Sequence, residues 1–213
     1  MSRKRKSIGP ALGAPRVAAA RAASEAPGRN AVEVYLGEAA LVSLLVSSAE
    51  VYKKECYGTL LGYRTDNRIL VEHAIPYQSA LRKHSEVVLG ARSRRIIDEV
   101  LEGLPKYKVL GEYHSHPMFG DKRANVRLGA LDTIDMNADD VQIIVAINDK
   151  SRHQGWRARS DSAIAGTYSN YHYSIGAYLY PGSVKRGNPI LAPLYCPYAF
   201  GLLGSGGTVG RRG

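Results

Sequence analysis

A predicted strand runs through Val109-Leu110-Gly111-Glu112-Tyr113-His114-Ser115-His116-Pro117 and ends in two histidines. Successive side chains of a strand point to opposite faces, so the imidazoles of His114 and His116 project from the same face. Pro117 has no backbone N–H to donate to a neighbouring strand, and it therefore ends the pairing. This spacing favours chelation of a metal ion, although two partly exposed histidines without a ligand role fit so short a pattern equally well.

The composition indicates one folded domain with appendages, because the chain has 213 residues of which 45% are hydrophobic. Cys56 and Cys196 are the only cysteines, too few for a disulfide framework or for a cysteine zinc cage. We therefore predict a reducing compartment, a cytoplasmic location, and metal ligands drawn from histidine and carboxylate groups. The longest apolar run, residues 39–46, is far shorter than the ~20 residues of a membrane span. No membrane partner is expected.

Most of the net charge of +10 lies in a predicted tail at residues 1–30, where seven Lys and Arg residues accompany one Glu. This tail is rich in Ala, Gly, Pro and Arg and has little to bury, so we predict that it is disordered. A transit peptide and a nucleic-acid-binding arm are the functional alternatives for it. We assign residues 31–182 to the folded domain and residues 183–213 to a C-terminal extension that is Gly-rich and flexible at its end.

Hydrophobic periodicity alternates between strand and helix along residues 31–182. The predicted strands cover residues 32–36, 57–63, 68–77, 109–116, 141–147, 155–159 and 165–180, the last being one strand or a bent pair. The predicted helices cover residues 38–54, 91–104 and, as a short segment, 128–137. This order predicts a mixed sheet with helices packed on it.

Three carboxylates can complete a metal site with the histidines. Asp132 and Asp135 are three residues apart and share a face of the predicted helix, so either can supply the third ligand. Glu55 stands among apolar residues and glycines just before a predicted strand. A glutamate beside a zinc-bound water is the usual general base for hydrolysis. Taken singly, each of these acids is more often a solvated surface charge.

Together these residues resemble the JAMM (JAB/MPN-type) zinc metallopeptidases, whose pattern is Glu, then H-x-H-P, then S-x-x-D. The resemblance extends over residues 32–180. It rests on Glu55 in Glu-Cys-Tyr-Gly-Thr-Leu-Leu-Gly, on His114-Ser115-His116-Pro117 and on the Asp-bearing segment that follows.

The resemblance implies an α/β (α+β) fold, with a curved mixed β-sheet packed between helices, of the MPN/JAB-like (cytidine-deaminase-like) type. It also implies one zinc ion per chain, held by His114 and His116, with Glu55 as general base and proton shuttle. The implied reaction is hydrolysis of a peptide or isopeptide bond at the C-terminal tail of ubiquitin or a ubiquitin-like protein.

The sequence departs from the family pattern around the third ligand. Residues 117–128 form a longer loop than the family usually has, and the serine of S-x-x-D is replaced by Gly129 if Asp132 is the ligand, or by Asp132 if Asp135 is. We prefer Asp132, because it leaves eight residues, about two helical turns, before the strand at Val141. Loss of a serine that stabilises an oxyanion can lower the rate by about 10²–10³ unless Asn125, Ser115 or a backbone N–H replaces it.

The predicted function is therefore that of a zinc-dependent metallopeptidase, deubiquitinase-like, whose partners are ubiquitin-like proteins or their conjugates. One alternative is a non-catalytic scaffold of the same family. A second is a basic nucleic-acid-associated protein, for which we expect contact with nucleic acid only through residues 1–30.

Overall fold

The computed structural model describes residues 31–78, 81–82, 87–88, 90–129, 131–133, 138–180 and 189–202. The predicted N-terminal tail and the end of the predicted C-terminal extension lie outside these residues. The strands are β1 Glu33–Leu36, β2 Tyr57–Arg64, β3 Arg68–Pro76, β4 Leu81–Arg82, β5 Val87–Val88, β6 Lys108–Pro117, β7 Val141–Asp149, β8 Arg157–Ala158, β9 Ile164–Tyr168, β10 Tyr171–Leu179, β11 Ile190–Ala192 and β12 Leu194–Tyr195. The helices are α1 Glu38–Glu50, α2 Ala91–Glu102 and α3 Pro197–Gly201.

Ten of the described strands form one mixed sheet in the order β12-β1-β3-β2-β6-β7-β10-β9-β8, with β11 also paired to β10. Three of its pairings are parallel, namely β1 with β3, β1 with β12, and β6 with β7. The short β11 pairs with β10, whereas β12, which follows it closely in sequence, pairs with β1 at the far edge. The sheet therefore curls until it almost closes on itself.

Helix α1 covers one face of this sheet with the apolar residues that its 3.6-residue period brings together. Leu41 and Leu44 are completely buried, and they belong to the same apolar cluster as Ile143 and Val145 of β7. Burial of a leucine side chain stabilises a fold by about 1.5–3 kcal/mol, so this helix is a major source of stability.

The predicted α/β fold, a sheet packed between helices in the MPN/JAB-like manner, is wrong, because the described protein is mostly β with short helices. Helix α2 forms where it was predicted, but it buries only Leu101. Ile96 and Val100 of its apolar stripe are 47% and 62% exposed, so α2 does not cover the sheet as α1 does. An apolar period predicts a helix but does not specify which surface the helix covers.

The helix predicted at residues 128–137 is also not found in the described part of that segment. The chain forms a short 3-10 turn at Leu131–Thr133 instead, and residues 134–137 lie outside the described residues. The predicted segment 165–180 is the bent pair of our two alternatives, formed by β9 and β10.

The second face of the sheet carries a smaller apolar cluster and the two histidines. Ile144 and Ala146 of β7 pack there against Val126, which lies in the loop after β6. His114 pairs with Ile144 and His116 pairs with Ala146 in the parallel β6–β7 register, so both imidazoles share that face. The loop after β6 therefore packs on the same face of the sheet as the two histidines.

An irregularity in the β2–β6 pairing occurs where β6 approaches the histidines. The register shifts opposite Gly111, whose φ of 143° is one that side-chain-bearing residues rarely adopt. A Cβ atom at Gly111 would collide with the carbonyl oxygen of Val141 on β7. The close approach of β6 to β7 at this position therefore requires glycine.

Cys56 and Cys196 are both buried free thiols. Among the helices of the described residues, none combines the length and the apolar character that crossing a membrane requires.

Candidate metal centre

Three side chains from two parts of the chain converge on the second face of the sheet. His114 and His116 come from the end of β6, and Asp132 comes from the 3-10 turn that follows the long loop. Each offers one ligand atom, and these atoms all lie within 4.8 Å of one another. This group can hold a metal ion.

The spacing of the ligand atoms suits a small ion. The two Nε2 atoms lie 3.0 Å apart, and Asp132 lies 3.4 Å from Nε2 of His114 through Oδ1 and 3.7 Å from Nε2 of His116 through Oδ2. A tetrahedral ion with bonds of about 2.05 Å places its ligand atoms about 3.3 Å apart. The observed separations of 3.0–3.7 Å are therefore of the size that such a site requires.

The ionisation states of the three residues reflect their burial and their mutual contacts. Burial lowers the pKa of His114, against the opposing hydrogen bond with Asp132. Burial also opposes a charge on His116, but the contacts with Asp132 and the backbone of Asn125 outweigh it and raise the pKa of that imidazole. Burial disfavours the Asp132 carboxylate, yet hydrogen bonds with both histidines hold its pKa well below the usual range. Asp132 is thus an anion that faces two ring nitrogens.

The outer nitrogen of each imidazole has a polar partner. Nδ1 of His116 donates to the carbonyl oxygen of Asn125 at 2.9 Å, which leaves Nε2 of His116 as the lone-pair atom. Nδ1 of His114 lies 2.8 Å from Nε2 of Gln142, a side chain that is 6% exposed on β7. The amide N–H of Gln142 donates to Nδ1 in this orientation; with the amide turned over, its oxygen would accept from Nδ1–H and leave Nε2 of His114 free to bind a metal. Partners of this kind orient ligand histidines and raise their basicity.

We expect the Gln142→Leu variant to bind a divalent metal roughly 10- to 100-fold more weakly than the wild type, because His114 loses the group that orients it. Competition with a chromophoric chelator measures the dissociation constant. Ser174→Ala is the matched control, since Ser174 is another buried polar residue of the same sheet and lies on β10. Equal metal affinity of wild type and Gln142→Leu would contradict this role.

Glu55 lies beside the group in a pocket of about 290 Å³ that it lines together with His116 and Asn125. Its neighbour Cys56 is fixed to β6 by two hydrogen bonds. The N–H of Cys56 donates to Oγ of Ser115 at 2.9 Å, and the N–H of Ser115 donates to the carbonyl oxygen of Cys56 at 2.9 Å. The start of β2 is therefore attached to the strand that carries the histidines.

Gly129 stands three residues before Asp132, where the S-x-x-D pattern has serine. The N–H of Gly129 donates to Oδ2 of Asp132 at 2.5 Å and so helps to orient this carboxylate. Ser115, one suggested replacement for the serine, is fully buried and accepts the hydrogen bond of Cys56. Asn125, the other, lines the pocket. Asp135, the alternative ligand, lies outside the described residues.

Sequence reasoning missed Gln142 and did not single out Lys122 and Arg123, although it expected their loop, residues 118–127, to contact the substrate. The sequence does single out Gln142, because it is the one polar residue within the apolar run of β7. Lys122 and Arg123 line the pocket of Glu55 and His116. Their placement depends on the path of the loop after β6.

The fold and this group define a mostly β protein that carries two histidines and one aspartate in an arrangement able to hold a metal ion. No protein-family model and no curated protein match the chain. Among solved structures, it resembles the solution structure of protein DSY2949 from Desulfitobacterium hafniense, with a TM-score of 0.52 and 14% sequence identity. The match covers 76% of this chain and 92% of that one. At this identity the likeness shows the fold alone.

Proposed function

We propose that this protein is a zinc-dependent hydrolase that cleaves a peptide or isopeptide bond at the C-terminal tail of a ubiquitin-like protein. The observation that carries the proposal is the convergence of His114, His116 and Asp132 on one point. Glu55 lines the adjoining pocket together with His116. The fold does not support this function over others, because the proposed chemistry depends on the residues of the site.

The donor set agrees with zinc. Zinc takes imidazole nitrogen and carboxylate oxygen at about 2.0–2.2 Å, and its catalytic sites commonly have three protein ligands with a fourth position open. When bound, such an ion activates a water molecule by lowering its pKa to about 7, and it polarises a carbonyl group. Burial lowers the pKa of His114 and so favours its neutral imidazole, and Nδ1–H of His116 donates to the carbonyl oxygen of Asn125, so that a neutral His116 presents Nε2 to a metal.

Glu55 is the residue that we assign to proton transfer. Its carboxylate accepts the proton of the attacking water and returns it to the nitrogen of the leaving amine, so one group serves as base and then as acid. The backbone pairing of Cys56 with Ser115 sets its distance from the histidine strand. Glu55 is only partly buried, which suits a group that must exchange protons.

Asn125 is the donor that we assign to the developing oxyanion in place of the family serine. Its carboxamide lines the pocket, and its Oδ1 accepts a hydrogen bond from the N–H of Arg127 at 2.9 Å. That contact orients the amide so that its NH₂ group serves as the remaining donor. A fixed donor of this kind stabilises an oxyanion because it requires no reorganisation during the reaction.

The proposed substrate is an extended tail because the pocket, at about 290 Å³, is too small for a folded chain. The tail of a ubiquitin-like protein is such a segment, and the resemblance of Glu55 and His114-Ser115-His116-Pro117 to the JAMM pattern is the reason for naming it.

Metal analysis combined with a cleavage assay tests the proposal. Full-length protein purified without added metal should contain one zinc per chain and should cleave ubiquitin-like proteins that carry a C-terminal extension. A chelator should abolish cleavage, and zinc should restore it. Iron in place of zinc would contradict the metal assignment, because two histidines and one carboxylate also form the site of iron oxygenases. A zinc-loaded protein that leaves every such substrate intact would contradict the reaction.

A further inference from the structure

We infer that the substrate carries a carboxylate next to the bond that is cleaved, and that Lys122 and Arg123 bind it. This inference rests on the proposed hydrolase function and specifies its substrate. Both cations line the pocket of Glu55 and His116. Among the described residues, neither forms an ion pair or a side-chain hydrogen bond.

The loop that carries the two cations is held at both of its ends. Before them, the N–H of Phe119 donates to the carbonyl oxygen of Lys122 at 3.0 Å, and the reverse bond measures 2.9 Å. Gly120, with φ of 52°, allows the tight turn between these residues. The backbone of Lys122 is thereby fixed relative to the end of β6.

After the cations, the loop is fixed by a buried side chain of β7. Asn148 is 2% exposed, and its Oδ1 accepts from the N–H of Ala124 at 2.8 Å while its Nδ2 donates to the carbonyl oxygen of Ala124 at 3.2 Å. Two residues after Ala124, the carbonyl oxygen of Val126 accepts a hydrogen bond from the hydroxyl group of Tyr178 at 2.9 Å. The loop thus presents Lys122 and Arg123 from a fixed backbone, unlike cations on a mobile surface segment.

The charges that line the pocket favour an anionic ligand. Lys122 and Arg123 outnumber Glu55, the only carboxylate among the lining residues. Glu55 is assigned to proton transfer, so the two cations are the groups that remain for recognition. Arg and Lys form charge-assisted hydrogen bonds with carboxylates, which are shorter and stronger than neutral ones.

The carboxylate has two sources, an acidic side chain of the substrate or a free C-terminus, and a set of three ligands distinguishes them. Each ligand is a dipeptide with an N-terminal hydroxamate that binds the metal. The second residue is Gln with a C-terminal amide, Glu with a C-terminal amide, or Gln with a free C-terminus. Dissociation constants are measured by calorimetry on the zinc-loaded full-length protein at low and high salt.

We expect one of the two anionic ligands to bind roughly tenfold more tightly than the neutral one, and this ratio to shrink at high salt. In the Lys122→Gln, Arg123→Gln double variant the ratio should fall to about one, with affinity for the neutral ligand unchanged. Arg127→Gln is the matched control, because Arg127 is an exposed cation of the same loop that does not line the pocket. The affinity of Arg127→Gln for the anionic ligand relative to the neutral ligand should equal that of the wild type.

Three results would overturn the inference, and they distinguish its failure from that of the hydrolase proposal. If all three ligands bind the wild type equally, or if the ratio persists in the double variant, the recognition role of Lys122 and Arg123 is wrong while the hydrolase proposal stands. If the zinc-loaded wild type binds none of the hydroxamates, the metal pocket is not an active site, and both proposals fail.

Discussion

Glu55→Gln should lower the turnover number for cleavage by about 10²–10⁴-fold while leaving zinc bound, because the amide cannot accept a proton from the attacking water. Glutamine has nearly the shape of glutamate, so the local packing beside Cys56 and β6 should persist. The measurement is steady-state cleavage of a ubiquitin-like protein with a C-terminal extension, with zinc content determined on the same samples.

Glu50→Gln is the control for this experiment. Glu50 is an exposed carboxylate at the end of α1, only five residues earlier in the chain. Its loss should change neither turnover nor zinc content. Equal turnover by wild type and Glu55→Gln would show that Glu55 is not the base. A zinc-loaded wild type that cleaves no substrate in this assay would favour the non-catalytic scaffold.

Asp132→Ala should weaken zinc binding by more than about 100-fold, because loss of a partner outside the ligand shell already costs 10- to 100-fold. The carboxylate offers one ligand atom, and its negative charge faces the two imidazoles. The variant should also lose the increase in melting temperature that zinc gives the wild type, since ligand binding stabilises the folded state by mass action. Chelator competition and thermal unfolding with and without zinc measure both effects.

Asp135→Ala is the matched variant, since Asp135 is the alternative third ligand from the sequence pattern. We expect its zinc affinity and its zinc-dependent stabilisation to equal those of the wild type. The opposite outcome, in which Asp135→Ala loses zinc and Asp132→Ala retains it, would show that the ligand assignment is wrong.

Local periodicity predicted most of the strands and two of the helices at nearly the observed positions. It did not predict correctly which helices pack on the sheet, as α2 shows. Ile96 and Val100 lie on the apolar stripe of that helix, yet both are exposed. The segment expected to form a further helix contains a 3-10 turn in its described part, and Val126 of the loop before it packs on the sheet. These outcomes depend on contacts between distant parts of the chain.

In the candidate site, too, one feature follows from the local sequence and another depends on contacts between distant residues. The alternation of β6 places His114 and His116 on one face of a strand, because this period is a local property of extended backbone. Whether Asp132 reaches them depends on the loop after β6. Asn148 on β7 holds that loop through the backbone of Ala124, and such a contact between distant residues has no signal in the local sequence.

The sequence by itself determined that His114 and His116 share one face of a strand and which types of residue can accompany them as ligands, since both follow from local chain geometry and from donor chemistry. Only the tertiary structure decided that Asp132 faces the two imidazoles and that Glu55, Lys122 and Arg123 border one pocket. It also decided that a nearly closed sheet, with α1 on one face, carries the site. Pairing of distant strands sets these positions, and no local pattern encodes it.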